Sequence, residues 1–265
     1  MVHNEAIERD DKEMTIGRRA KIIELLDTQG HVGVTDLSRR FRVSEVTIRN
    51  DLGLLEERGI LIRARGGAIK NQRVNIDYHL SEKSKRHLAE KQAIGKKTVE
   101  LISEEDTIIL DSGTTTLEVA KNLSGFTNLT IITNALNVAG QLVNYPQIKL
   151  IMLGGMLRQS SLSMLGPVAE ANIRDYYCDK LIMGVDSIDS RYGISTPTIE
   201  EAHLNRLMID IAKEVIVVTD SSKFLRRSFA FIAPISDVDV VVTDANIPDE
   251  ERKNLESLGI KMIVV

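Results

Sequence analysis

SEVTIRNDLGLL, residues 44 to 55, is the stretch whose reading decides the fold. Ser44 follows Phe41-Arg42-Val43 and suits an N-cap, its hydroxyl accepting from an amide that the first helical turn leaves without a partner. Ile48, Leu52 and Leu55 recur at i, i+4 and i+7, which sets three apolar side chains on one stripe facing a core. Glu45, Thr47, Arg49 and Asn50 fall off that stripe. Three of them have the chemistry of base recognition: Arg49 can fork onto guanine, Asn50 can pair with adenine, and Thr47 can touch either base edges or phosphates. Any amphipathic surface helix shows polar residues opposite an apolar stripe, so the neighbours must carry the decision.

Upstream, Ile22, Ile23, Leu25 and Leu26 predict one apolar helix, and residues 34–41 predict a short second one with Leu37 and Phe41 turned inward. Arg42-Val43 is the tight turn. Downstream, Glu56-Glu57-Arg58-Gly59 ends the helix on a glycine, Ile60 to Ala64 reads as a strand, and Gly66-Gly67-Ala68-Ile69 as its return. A two-stranded wing carrying Arg63 and Arg65 follows three helices, the winged form of the helix-turn-helix. Ser44, Glu45, Thr47, Arg49, Asn50, Arg63 and Arg65 are the candidate DNA-binding residues. Charge is distributed to match. The chain carries −4 overall, but residues 14–70 hold eleven basic and seven acidic side chains, whereas residues 1–13 hold two and five. The positive segment is the one with the candidate reading helix, as phosphate neutralisation requires. An excess of four is modest, which points to two or more copies on paired half-sites, a homo-oligomeric dimer or tetramer.

The run VTDLSRRFRVSEVTIRNDLGLLEERGILIRARGGAI resembles the N-terminal domain of the DeoR-type bacterial transcriptional repressors, whose hallmark is a TIR-x-DL-x-x-LE-x-x-G helix and wing. Thr47, Ile48, Arg49, Asp51, Leu52, Leu55, Glu56 and Gly59 fall on it. Asn50 departs from it, standing where many members carry a second arginine, so an operator sequence does not transfer with the family.

The rest of the chain bounds the class. At 265 residues, 43% hydrophobic and 27% charged, it has the composition of a globular protein with two cores. No apolar run is long enough to span a bilayer, and Met1–Glu13 is acidic rather than basic and then apolar; a cytoplasmic protein without a membrane partner is expected. The single Cys178 cannot form an intrachain disulfide and reads as a packed small side chain, and the scattered histidines lack metal-ligand spacing, so no metal or cofactor is expected. Residues 71–104 read as a polar linker and a connecting helix whose lysines form a solvated face.

From residue 105 short β-branched runs alternate with helices. Strands are expected at 107–110, 129–133, 148–153, 180–183, 215–219, 238–243 and 262–265, and helices near 115–123, 135–144, 168–175, 200–212 and 248–258. The fold class is therefore an α+β winged helix-turn-helix domain (14–70) after an acidic tail (1–13), followed by an α/β domain (105–265) with a mainly parallel sheet. In such sheets ligands bind beyond the carboxyl ends of the strands. After the first strand comes Asp111-Ser112-Gly113-Thr114-Thr115-Thr116, small hydroxyl residues and a glycine before a helix, the pattern that holds an anion and also the pattern of a plain capping turn. Asn134, Gly154-Gly155 with Arg158, Gly184-Val185-Asp186 and Asp220-Ser221-Ser222-Lys223 follow the next four. Glycines admit close backbone approach, Asn and Asp can bond hydroxyls, and Arg and Lys can neutralise an anion. Ser195, Thr196 and Glu201 lie on a further loop and helix start expected to be able to cover the pocket, and His203 reads as a surface or satisfied histidine.

This half resembles the C-terminal sensor domain of the same repressors through ILDSGTTT, ITNALNVA, LGGMLR, LIMGVDSID and VVTDSSKF, a domain similar to sugar-phosphate isomerases and deaminases. The resemblance implies a phosphorylated sugar as effector, with Ser112, Gly113, Thr114, Thr115 and Lys223 holding phosphate and Asp111, Asn134, Gly154, Arg158, Asp186, Thr196 and Glu201 around the sugar. GISTPTIEEAHLNRLM is most similar to repressors of amino-sugar operons such as those for N-acetylgalactosamine. The expectation is a non-enzymatic repressor whose partners are double-stranded operator DNA and a sugar phosphate. The alternative is a sugar-phosphate isomerase or deaminase-like enzyme with a DNA-binding appendage, against which stands the absence of an assignable acid-base pair.

Overall fold

The computed structural model describes residues 18, 19, 21–26, 28–57, 61–70 and 78–265. The expected acidic tail, the glycine stop at Arg58-Gly59 and the polar connector Asn71–Asp77 lie outside them. The chain divides into two compact units, residues 1–73 and 74–265. Among the described residues no helix is long and apolar enough to cross a membrane.

In the first unit, helical residues within 18–29 (α1) precede β1 (His31–Gly33), α2 (Val34–Phe41), α3 (Glu45–Glu57), β2 (Leu61–Ala64) and β3 (Gly67–Lys70). The expected stripe is the core: Ile48, Leu52 and Leu55 are fully buried against Ile22, Leu26, Leu37 and Leu61, with Phe41 packed at the edge. The cap is also as expected, the Thr47 amide donating to Ser44 Oγ at 3.1 Å. Between α2 and α3, Arg42 turns the chain with φ 54°, in the left-handed region. The wing differs from the expected hairpin. It has three strands in the order β1-β3-β2, because His31–Gly33 pairs antiparallel with Gly67–Ile69. Gly67 makes that approach possible, since a Cβ there would lie 2.0 Å from the Val32 carbonyl oxygen.

The second unit begins with α4 (Leu80–Lys83) and α5 (Leu88–Thr98), then alternates β4 (Thr107–Leu110), α6 (Thr114–Lys121), β5 (Thr130–Thr133), α7 (Leu136–Leu142) and β6 (Lys149–Met152). A hairpin of β7 (Met156–Arg158) and β8 (Ser163–Leu165) leads to α8 (Pro167–Ile173) and β9 (Cys178–Met183). There follow β10 (Ser187–Asp189), β11 (Gly193–Thr196), α9 (Ile199–Asp210), β12 (Ala212–Val218), β13 (Ala230–Ala233), β14 (Val240–Thr243), α10 (Asp249–Ser257) and β15 (Lys261–Val264). Seven strands form one parallel sheet ordered β15-β14-β12-β9-β4-β5-β6. One face buries Ile94, Val119, Ala120 and Val138 from α5, α6 and α7; the other buries Ala169, Ile173, Leu204, Met208 and Leu255 from α8, α9 and α10. The helix at 88–98 therefore belongs to the second unit's core, and Gly95 lets it press on α6, where an added Cβ would lie 2.6 Å from the Glu118 carbonyl carbon. Cys178 is buried and free, its thiol pushed up to about 12 by burial.

All seven expected sheet strands form, one with the expected ends and the others with ends shifted by at most three residues, and α9 stops at Asp210 so that Ala212 opens β12. Strand order reverses between β4 and β9. Successive strands run outward from that seam in both directions, which makes the carboxyl ends of β4 and β9 a topological switch point, the place where open α/β sheets hold ligands.

Candidate functional site

In the first unit, α3 turns Arg49 and Asn50 to solvent, and the wing exposes Arg63 and Arg65. Val46 beside them is also exposed. Arg49 is not a dangling side chain. Its guanidinium bonds the Glu45 carboxylate one turn earlier, and Glu45 also accepts from Thr35 Oγ1 of α2 at 2.9 Å. Ser44 spends its hydroxyl on the Thr47 amide and on Thr47 Oγ1 at 2.8 Å. Ser44 and Glu45 thus serve the start of the helix, while Arg49, Asn50, Arg63 and Arg65 present donors outward.

What the sequence reading did not show is how α3 is anchored. Asp51 is buried on the same helix and accepts from Arg18 Nε at 2.6 Å and Arg19 Nε at 2.7 Å. One carboxylate so ties α3 to α1. The pattern offered a weak signal, an acidic residue three positions after Ile48 and therefore on the same face as the apolar stripe, where a charge needs a partner.

In the second unit the candidate residues gather at the β4/β9 seam. The Asp111 amide continues the ladder to the Ile182 carbonyl at 3.1 Å, so its side chain starts directly at the strand ends. Asp111 is buried, with Oδ2 accepting from Asn205 Nδ2 of α9 at 3.1 Å and Oδ1 lacking a hydrogen-bond partner among the described residues. Burial pushes its carboxyl up to about 7, and the nearby Glu201 charge pushes the same way against hydrogen bonds from Ser112 and Asn205. Thr116 Oγ1 of α6 and Asn134 Oδ1, just after β5, are likewise buried without a hydrogen-bond partner among the described residues.

Across the seam, Asp186 gathers cations. Lys83 Nζ lies 2.6 Å from its Oδ1 and Lys223 Nζ 3.8 Å, and Thr196 Oγ1 donates to Oδ2 at 3.4 Å. Burial acts to raise the Asp186 carboxyl, but the two ammonium groups outweigh it and hold the group below the usual carboxylate range. Burial lowers Lys223, only partly offset by Asp186. The chain of contacts continues from Thr196 to Glu201 Oε2 at 3.2 Å, from Glu201 Oε1 to Arg158 at 3.0 Å, and from Arg158 to Ser161 Oγ at 3.0 Å. The structure thus joins Asp186, Thr196, Glu201, Arg158 and Lys223 in one network with Asp111 in electrostatic reach. Ser112, Gly113 and Thr114 are half-buried at the start of α6, and Thr115 is buried. Gly154 stands apart in role. Its amide donates to Asn172 Oδ1 of α8 at 3.1 Å, so it packs that helix. His203 is exposed.

Three residues here were missed by sequence reasoning. Asn205 holds Asp111 from α9, a site no spacing rule marks. Lys83 and Lys91 come from the segment read as a solvated charge run. Lys91 is 4% exposed and donates to the carbonyls of Lys83 and Arg86. Burial lowers it to about 8, the charges of Lys223 and Lys83 add to this, and Asp220 opposes it.

A family model described as the DeoR-like helix-turn-helix domain matches residues 18–74, and one described as the DeoR C terminal sensor domain matches residues 86–245. The putative aga operon transcriptional repressor of Escherichia coli O157:H7 is 42% identical over 95% of this chain and 94% of its own length. The transcriptional repressor AccR of Agrobacterium fabrum is 39% identical over 90% and 96%, and the glycerol-3-phosphate regulon repressor of Escherichia coli K12 is 35% identical over 87% and 91%. Among solved structures, ribose 5-phosphate isomerase A of Methanocaldococcus jannaschii shares 17% identity over 51% of this chain and 53% of its own, with a TM-score of 0.39, a likeness too slight to bear on function.

Proposed function

This chain belongs to the DeoR family of transcriptional regulators, and from that premise we propose that it represses a sugar or amino-sugar utilisation operon and leaves its operator when a phosphorylated sugar occupies the β4/β9 seam. In this division of labour residues 14–70 hold DNA and the second unit, which takes in the helix at 88–98 together with residues 105–265, senses the metabolite. The observation that carries the effector half is the polar network itself: a buried acid at Asp111 and a carboxylate flanked by two ammonium groups at Asp186, all at the switch point. Hydroxyl groups suit the first and a phosphate the second, with Ser112, Gly113, Thr114 and Thr115 at the start of α6 adding donors. Asn134, Arg158, Thr196 and Glu201 complete the sugar's surroundings. The relatives named for a glycerol-3-phosphate regulon and an aga operon support a sugar-linked reading.

On the DNA side, Arg49, Asn50 and Thr47 read base edges and Arg63 and Arg65 steady the wing on phosphates, with two or more copies on paired half-sites. Release obeys linkage: an effector lowers operator affinity only by preferring the state that binds DNA poorly, and operator must weaken effector binding by the same factor. The direct test is fluorescence anisotropy of the full chain on its promoter fragment while a panel of sugar phosphates is added. Affinity that falls with one phosphate and not with its unphosphorylated sugar supports the reading, whereas equal binding to promoter and random duplex at moderate salt sinks it. Asp111, held near 7, is also the group a proton-shuttling enzyme would use, so turnover of the same panel is measured alongside.

Two substitutions separate the sites. Arg49→Ala removes base contacts that are worth about 1–3 kcal/mol, so operator affinity should fall roughly 5- to 150-fold. The lost Glu45 partner is an exposed helical pair of about 0.3–0.5 kcal/mol, too little to unfold the unit, so circular dichroism should not change. Unaltered operator affinity removes Arg49 from the interface. Lys223→Ala should keep operator binding and lose its release by sugar phosphate, and release at the original concentration would count against a phosphate role.

A further inference from the structure

Val46 stands in the first turn of α3. At about 100° per residue it lies opposite Ile48 and Leu55 of the buried stripe, and it is 62% exposed. A branched aliphatic side chain does little for the helix there, since valine is a poorer helix former than alanine. Among the described residues it also takes no part in the core of the first unit, which reaches Val43 at its edge. One exposed apolar side chain is ordinary on a protein surface, so its neighbours must give it meaning. The other side chains of the first turn are engaged within the chain. Ser44 Oγ accepts from the Thr47 amide and lies 2.8 Å from Thr47 Oγ1, and the two oxygens of Glu45 accept from Thr35 and Arg49. Arg49 and Asn50 are exposed three and four residues further on, the spacing that puts them on the same side of the helix as Val46. The outward patch of α3 is therefore one apolar group beside two donors suited to base edges, on the segment that holds the chain's excess of basic residues.

We propose that Val46 is a specificity-determining residue that reads thymine, its methyl groups packing on the C5-methyl of one thymine in each half-site. The occupant follows from the chemistry of the groove. In the major groove the base edges present donors and acceptors, and the apolar group they offer is the thymine methyl. The N-terminal residues of a recognition helix are those that meet base edges, and a side chain without charge or hydrogen-bonding atoms has nothing to offer a phosphate. Cytosine in the same place presents an amino donor and no methyl, so valine selects against it. This inference rests on α3 being the reading helix.

The test removes the methyl from the DNA as well as from the protein. Each thymine that the bound full chain protects on its promoter fragment is replaced singly by deoxyuridine, which keeps the base pairing and lacks only the C5-methyl. Fluorescence anisotropy then compares the unaltered protein with Val46→Ala on every fragment. Loss of one buried methyl contact should weaken the unaltered protein by about fourfold at one thymine in each half-site. Val46→Ala should bind those same deoxyuridine fragments within about twofold of its own affinity for the parent fragment, and respond as the unaltered protein does at the other thymines. Alanine is the better helix former at an exposed position, so circular dichroism should not change. If no deoxyuridine weakens the unaltered protein, or if Val46→Ala suffers an equal loss at every position that does, the role of Val46 is overturned and the reading helix stands. Equal binding of the unaltered protein to promoter and random duplex overturns both.

Discussion

Asparagine at position 51 is expected to destabilise the N-terminal unit by about 3 kcal/mol, the lower end of the cost of breaking a buried ion pair. Asp51 has a side chain 2% exposed and serves Arg18 and Arg19 at once, and these are themselves only 12% and 22% exposed. Removing the charge leaves two partly desolvated guanidinium groups facing a neutral amide. Asparagine can still accept one of the two hydrogen bonds, which is why the upper end of about 5 kcal/mol is not expected. Hydrogen-exchange protection of the amides of α1 and α3 in the full chain reads the effect without requiring the two units to unfold together. Operator affinity should fall in parallel, although Asp51 faces away from solvent. Protection within about 0.5 kcal/mol of the unaltered protein would show that α1 and α3 hold together without the clamp.

The second large effect comes from Asp111 and has a definite sign. The folded chain raises this carboxyl from 3.8 to about 7, so the fold favours the protonated form. Its contribution is therefore fully present below about pH 4 and is lost as pH rises toward 7, above which the buried group is ionised at a fixed cost. At about 1.4 kcal/mol for each pKa unit, that cost is on the order of 4 kcal/mol at pH 8. Asp111→Asn cannot ionise and keeps an oxygen for the Asn205 donor. It should be more stable than the unaltered protein at pH 8, with the margin shrinking steadily as pH approaches 4. Urea midpoints of both proteins at pH 8, 6.5 and 5 check this, and a margin that does not vary with pH would mean that Asp111 is ionised throughout. On these numbers discharging the buried carboxylate outweighs any single hydrogen bond that it makes.

The elements legible in the sequence are those governed by local periodicity. Ile48, Leu52 and Leu55 announce α3 at helical spacing, and runs such as Thr107–Leu110 and Val240–Thr243 announce buried parallel strands. The strand-end loops were legible too, because Asp111 follows its apolar run at once and Asp186 and Lys223 follow theirs within five residues. What stayed hidden depends on partners distant in sequence. β1 is three residues long and gains its place only by pairing with β3, made possible by the bare Gly67 backbone. β10, β11 and β13 form a separate small sheet whose pairing no local pattern encodes. Lys83 looks like any lysine in a charged helix, and nothing in 80–97 distinguishes it from Lys96 or Lys97, which lie on the outer side. Asn205 is hidden likewise, one polar residue in an amphipathic helix whose neighbour His203 faces solvent.

The reversal of strand order has one more outcome. Because β4 and β9 adjoin in the sheet but are separated in the chain by β5 to β8, Asp111 and Asp186 reach the same crevice from stretches of polypeptide laid down far apart. A molecule grasping both becomes a rivet through the centre of the sheet, and no single loop can let go of it by fraying. Such a grip would be felt as resistance of the whole lobe to heat and proteases, so that the occupied and the empty polypeptide would differ in sturdiness.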